Sequence, residues 1–211
     1  MTRAQRADLD ERQRSRILGA LAACIGGKGY AATTIADIAR QARVSKSTVY
    51  VHFRDKDDIF MALYSTASDR VIEVISQAAE EASRAGLGWR EQITASLGAY
   101  LAAMAAGRDL SRCLVVEAPA VSPRALALRA EVLERYVDAL HGLAVAAARE
   151  DAEVPVPPRS LILGLLGGIN EYMLQVLASD GRIGPKQATA EANQLVSAVI
   201  DGYRGAESTA R

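Results

Sequence analysis

Cysteine pairs, long hydrophobic runs, alternating strand patterns and catalytic motifs are all missing from this 211-residue chain. Its two cysteines, Cys24 and Cys113, stand in no CxxC and no metal-ligand spacing. That excludes a disulfide framework and a zinc site, and suits a reducing cytoplasm. The apolar run Leu161 to Ile169 is about half of what a bilayer crossing needs, so no membrane span is expected. The opening MTRAQRADLDERQRSR places no apolar segment behind its charges, so no secretory leader is expected. There is no HExxH, no GxSxG and no paired-carboxylate site. His141 stands alone, and Gly164–Gly168 lacks the strand and the lysine of a phosphate loop. An enzyme, a bound metal and a cofactor are therefore not expected. Net charge is missing too: 25 Lys and Arg balance 25 Asp and Glu, which on its face argues against a nucleic-acid partner.

The balance conceals an uneven distribution. Residues 1–56 hold eleven basic side chains against five acids, a net of +6, and the remaining residues carry −6. Such a chain reads as a small basic module joined to a larger acidic one.

Half of the residues are apolar, and they recur at steps of three and four, the period of helices. The spacing predicts an all-α fold of about nine helices. In the first, Ile17, Leu18, Leu21 and Ile25 share a face that also takes in Cys24, and Gly26, Gly27 and Gly29 are expected to stop it. Thr34 to Asp37 is a capping-box-like start for a short second helix ending near Gln41–Ala42. Ser45 caps a third that ends around Phe53, and Asp55 caps a long fourth running to about Arg84. A fifth spans Trp89–Ala106 and a short sixth Leu110–Glu117. Ser122-Pro123 opens a long seventh. After the proline-rich Val154–Pro158 come an eighth over Arg159–Ala178 and a ninth from Lys186 to about Tyr203.

Three short helices carrying the basic charge, followed by a long one, suggest a helix-turn-helix. Ile35, Ile38, Val44 and Val49 would fill its inside, and Phe53 and Phe60 its core, while Ser45, Lys46, Ser47 and Thr48 open the second helix of the pair with short polar or cationic groups. The segment from Thr33-Thr34-Ile35-Ala36-Asp37-Ile38-Ala39 through Val44-Ser45-Lys46-Ser47-Thr48-Val49-Tyr50-Val51-His52-Phe53-Arg54-Asp55-Lys56 resembles the DNA-binding domain of TetR-family transcriptional regulators. The resemblance covers about Arg12 to Tyr64. It implies a homodimer whose N-terminal domains (here 1–56) bind a palindromic operator on double-stranded DNA. The helical remainder, 57–211, would bind a small molecule that releases the DNA and would form the dimer. Carried over by position, Thr34, Ser45, Lys46, Ser47, Thr48, Tyr50, His52 and Lys56 are the expected DNA contacts. Two positions depart from the family pattern, which has glycine where this chain has Arg43 and commonly glycine at Ser47. A left-handed backbone at Arg43 costs about 1–2 kcal/mol, which a phosphate contact could offset. The arginines at 3, 6, 12, 14 and 16 could add contacts as a basic arm.

A ligand pocket between helices needs apolar walls and a few polar anchors. Helical spacing turns Tyr100 and Met104 inward on the fifth helix and sets Tyr136 beside the inward face of the seventh. Trp89, Cys113, Glu117, His141, Asn170 and Met173 complete the candidates. A mostly apolar pocket with one acid would take a hydrophobic or cationic effector. The last two helices are apolar on more than one face, as a subunit interface requires, with Leu161, Leu165, Gly168, Tyr172, Leu195 and Val199 as candidates. The alternative is a DNA-binding adaptor controlled by a protein partner, which a closed pocket and a large exposed apolar patch would favour.

Overall fold

The computed structural model describes residues 2–152, 154–179 and 181–209, and every regular element among them is helical. Nine helices follow in order. They are α1 (Arg3–Lys28), α2 (Ile35–Ala42), α3 (Lys46–His52), α4 (Lys56–Arg84), α5 (Trp89–Ala106), α6, α7 (Pro123–Glu150), α8 (Arg159–Ala178) and α9 (Pro185–Thr209). Helix α6 is α-helical over Arg108–Arg112, widens into a π turn over Cys113–Glu117 and closes as α over Ala118–Val121.

The cap residues set most of these boundaries. Thr34 and Asp37 form a reciprocal capping box on α2. The Ser45 hydroxyl accepts from Thr48 N (3.0 Å), Asp55 from Asp58 N (2.7 Å) and Ser122 from Ala125 N (3.2 Å). Of the three glycines expected to stop α1, only Gly29 does so, at φ 78°. Gly26 and Gly27 are helical, because a helix breaks where the backbone must leave αR rather than wherever glycine occurs. A Cβ at Gly26 would stand 3.5 Å from the Asp109 carboxylate, an ordinary contact distance, so the start of α6 passes close to α1 here.

The chain clusters into two compact units: 1–68 with 109–129, and 69–108 with 130–211. The first has a core of Ile17, Leu21, Ile38, Val49, Ile59 and Phe60, all fully buried, with Phe53 beside them. Tyr30 packs against Phe60 at 4.8 Å between ring centres. Cys24, expected on the buried face of α1, is half-buried.

In the second unit α9 packs on α5 and α8. Arg90 pairs with Asp201 at 2.6 Å, and Thr94 with Asn193 at 3.0 Å. Helix α8 corrects the reading based on unbroken runs. Asn170 and Glu171 interrupt the run but not the helix, in which a window of 18 residues has a mean hydropathy of 1.5, long and apolar enough by length and composition alone to cross a membrane. Of its apolar window 22% is buried in the protomer. Its exposed side includes Leu163, Gly164, Gly167 and Gly168.

Candidate nucleic-acid interface and ligand cavity

Helices α2 and α3 are joined by a turn in which Arg43 is the one non-glycine residue at positive φ among those described (φ 54°, ψ 47°). Val44 N donates to Ala39 O and Arg43 N to Arg40 O, the paired bonds of a Schellman cap, usually built on glycine. Two carbonyls left over at the turn, those of Ala42 and Arg43, accept from the Arg16 guanidinium of α1. Arg16 thus serves as a clamp on the turn, a role that its place among the N-terminal arginines did not suggest.

The other basic side chains of this unit are also largely engaged. Arg12 pairs with Asp8, Lys28 and Arg40 with Asp37, and Arg54 with Asp58. Lys28 and Thr34 hold the Asp37 carboxyl well below the usual range, and Arg54, then Arg124, do the same for Asp58. Arg14 lies over the Phe53 ring at 4.6 Å. Lys56 reaches the carbonyls of Tyr30 and Thr33, both at 3.0 Å, and lies 4.1 Å over the Tyr30 ring. Its ammonium is turned toward the protein, because two uncapped carbonyls of the α1–α2 connection need a donor there. The side chains of Arg3 and Arg6 lie outside the described residues. Among the described basic groups of residues 1–56, Arg14 has only its contact with the Phe53 ring, while Arg43 and Lys46 make no internal ion pair, side-chain hydrogen bond or ring contact, and these two flank the start of α3.

Helix α3 carries the remaining expected contacts. Ser45, Lys46, Ser47 and Tyr50 are exposed, and Thr48 is half-buried. The three hydroxyls bond one another, Ser45 to Ser47 at 2.6 Å and to Thr48 at 2.8 Å. His52 is engaged by Gln13 of α1 at 3.1 Å, and Thr34 by its capping box. Val51 was not among the expected contacts, yet it is the most exposed large apolar residue described, at 78%.

The second unit encloses a cavity of about 470 Å³, within the range of small-molecule sites. Its walls come from α4 (Ile75, Ala79), α5 (Trp89, Ile93, Leu97, Tyr100), α7 (Leu140, Leu143, Ala144), the Val154–Pro157 connection, α8 (Ile162, Leu165, Leu166, Ile169) and α9 (Val196, Ile200). Three polar side chains along the walls are hydrogen-bonded within the protein. Ser96 donates to Ile75 O at 3.2 Å, Gln92 to Leu87 O at 3.0 Å and Tyr100 to Asn170. One acid, Glu80, and one base, Arg84, line it a turn apart.

Of the nine expected ligand residues, Trp89 and Tyr100 line this cavity. Asn170 stands behind Tyr100 as its hydrogen-bond acceptor. Met104 and Met173 are buried in packing, and Tyr136 and His141 are half-buried away from the wall. Cys113 and Glu117 belong to the other unit, where the π turn brings the thiol to 3.7 Å from the carboxylate. Burial, with Glu117 beside it, pushes the thiol up to about 12, so it stays protonated and a poor redox centre. Leu165, expected in the dimer interface, faces the cavity. Leu161, Tyr172 and Val199 are half-buried, while Gly168 and Leu195 are exposed. Tyr172 donates to Glu191 of α9 at 2.6 Å.

An all-α chain with a helix-turn-helix near one end and an apolar cavity in a separate helical unit has the plan of a one-component transcriptional regulator. Residues 17–63 match the family model for bacterial regulatory proteins of the tetR family. It is 33% identical over 101 residues to the HTH-type transcriptional regulator HbdR of Aromatoleum sp. (strain CIB), spanning 48% of this chain and 42% of that one. Over 131 residues it is 25% identical to the fatty acid metabolism regulator protein of Bacillus subtilis (strain 168), spanning 61% and 64% of the two chains. The chain thus spans less than two thirds of the length of these relatives. In fold it is similar to the crystal structure of the Bacillus subtilis regulator FadR in complex with stearoyl-CoA. The TM-score is 0.72 at 19% identity, covering 89% of this chain and 98% of that one.

Proposed function

We propose that this protein is a dimeric repressor that binds a palindromic operator through α3 of each protomer. A small molecule bearing a long apolar chain would enter the second unit and lower its affinity for DNA. The 470 Å³ cavity, lined mostly by apolar side chains and with its Ser96 and Tyr100 hydroxyls hydrogen-bonded within the protein, carries the choice of ligand. Such walls reward methylene groups, about 0.8 kcal/mol each, and offer nothing to a polar interior portion of a ligand. Glu80 and Arg84 balance, so a cation has no uncompensated acid to meet and the hydrophobic effector is the better fit. The fold's likeness to a regulator crystallised with stearoyl-CoA supports an acyl chain. The cavity also favours a small-molecule effector over the protein-controlled adaptor.

DNA binding would rest on Arg43, Lys46 and Tyr50, with Ser45, Ser47 and Thr48 at the start of α3. Thr34, His52 and Lys56 would hold the reading head in shape. The functional boundary stays near residue 56, and 57–211 would carry ligand and dimer contacts. The dimer would form through the uncovered sides of α8 and α9, where Leu163 and Leu195 are exposed beside open glycines. A regulator of this kind works beside the chromosome, in the cytoplasm.

The test is a gel shift against DNA flanking the protein's own gene, repeated with acyl-CoA thioesters of graded chain length. Release that strengthens with chain length supports the reading. A retained shift with every thioester, and no thermal stabilisation by any of them, overturns the ligand assignment.

A further inference from the structure

The exposed face of α3 holds an unusual choice of residue. Val51 is 78% exposed and Tyr50, before it, 56%. A β-branched side chain gains little in a seven-residue helix and here packs against almost nothing, so neither helix propensity nor the core accounts for Val51. The groups around it are cationic or already occupied. The hydroxyls of Ser45, Ser47 and Thr48 are turned on one another, and Thr48 N is taken by the cap. Arg43 and Lys46, free of internal partners, are long enough to meet phosphates, which fixes position but not sequence. With the short polar groups turned on one another, Val51 is the exposed aliphatic side chain of α3 that can offer a base edge an apolar contact. In the major groove the one apolar mark on a base edge is the 5-methyl group of thymine.

We infer that Val51 reads a thymine methyl in each half-site and is a specificity-determining residue of the operator complex. The inference rests on the operator-binding reading above and adds to it a stated base and a stated atom. Contact excludes water from one methyl against the valine side chain, which amounts to about a fourfold difference in affinity.

The experiment uses the full-length protein and an operator selected from random duplexes. Each thymine is replaced in turn by deoxyuridine, which removes the methyl and leaves every hydrogen-bonding group in place. Dissociation constants come from fluorescence anisotropy at fixed salt. The expected result is about a fourfold loss at one thymine per half-site for the parent, and equal binding of both duplexes by Val51→Ala. Helicity measured by circular dichroism accompanies the variant, and alanine is the better helix former. A parent insensitive to deoxyuridine at every position overturns the inference, as does a Val51→Ala variant that keeps the parent's discrimination. If no duplex is enriched above non-specific binding, the operator-binding reading itself falls, and this inference with it.

Discussion

Arg16, thirteen residues into α1, donates to the carbonyls of Ala42 and Arg43, the second of which sits in the left-handed conformation that closes α2. The helix-turn-helix is thus clamped from outside by a side chain that sequence position alone would assign to a basic arm. Arg16→Ala should lower stability by about 1 kcal/mol, read as the midpoint of urea unfolding. Arg43→Gly should do the opposite, stabilising by about 1 kcal/mol because glycine adopts that backbone without strain. If the Arg43 guanidinium meets phosphate, the same variant should lower the salt slope of DNA binding by about one.

Lys56 separates a structural cation from a DNA-reading one. Its ammonium caps the carbonyls of Tyr30 and Thr33 and lies over the Tyr30 ring. Lys56→Met should cost about 1–2 kcal/mol of stability and leave the salt slope unchanged. Lys46→Ala should reduce that slope by about one without moving the unfolding midpoint. A loss of slope in the Lys56 variant would return this residue to the DNA surface.

Asp58 gives the first unit an acid sensitivity of known sign. Arg54 and Arg124 hold its carboxyl well below the usual range, so its folded value lies under the unfolded value of about 3.9. A depressed carboxylate contributes stability that is fully present above the unfolded value and is lost as pH falls through the folded one. Asp58→Asn should be less stable than the parent at pH 7. The gap should begin to narrow as pH falls below the unfolded value of about 3.9 and keep shrinking on further acidification, followed by urea midpoints across the range.

Gly167 tests the dimer without disturbing the protomer. No atom of its own chain stands within 4 Å of a Cβ placed there. Gly167→Leu should therefore fold as the parent does. By light scattering the parent should weigh twice 22.4 kDa and the variant that mass once, because only a second subunit can occupy the space. A Gly167→Leu protein that remains dimeric moves the interface elsewhere.

What was legible in the sequence was local. Caps at Thr34, Ser45, Asp55 and Ser122 and glycine at 29 are decided within four residues, and the helix boundaries they imply match those found. Arg43 was legible through the family resemblance, whose pattern has glycine at that position of the turn. The ligand cavity was not. Helical spacing shows that Met104 and Met173 turn inward but not toward what, and in the fold they meet packed neighbours instead of the cavity. Cys113 and Glu117 were misplaced because a π turn in α6 has no residue signature and because their helix clusters with the first unit. The engagement of Lys56 and Arg16 was hidden for a related reason: both reach carbonyls 23 to 27 residues away.

Because four of the nine described cations of residues 1–56 are paired with carboxylates inside the protein, and Arg16 and Lys56 are turned onto backbone carbonyls, Arg14, Arg43 and Lys46 are those left to displace counterions from a double helix. Its grip on random chromosomal sequence would be shallow, and its occupancy of a true site correspondingly less diluted by the millions of false ones. A regulator built this way can control its target at low copy number.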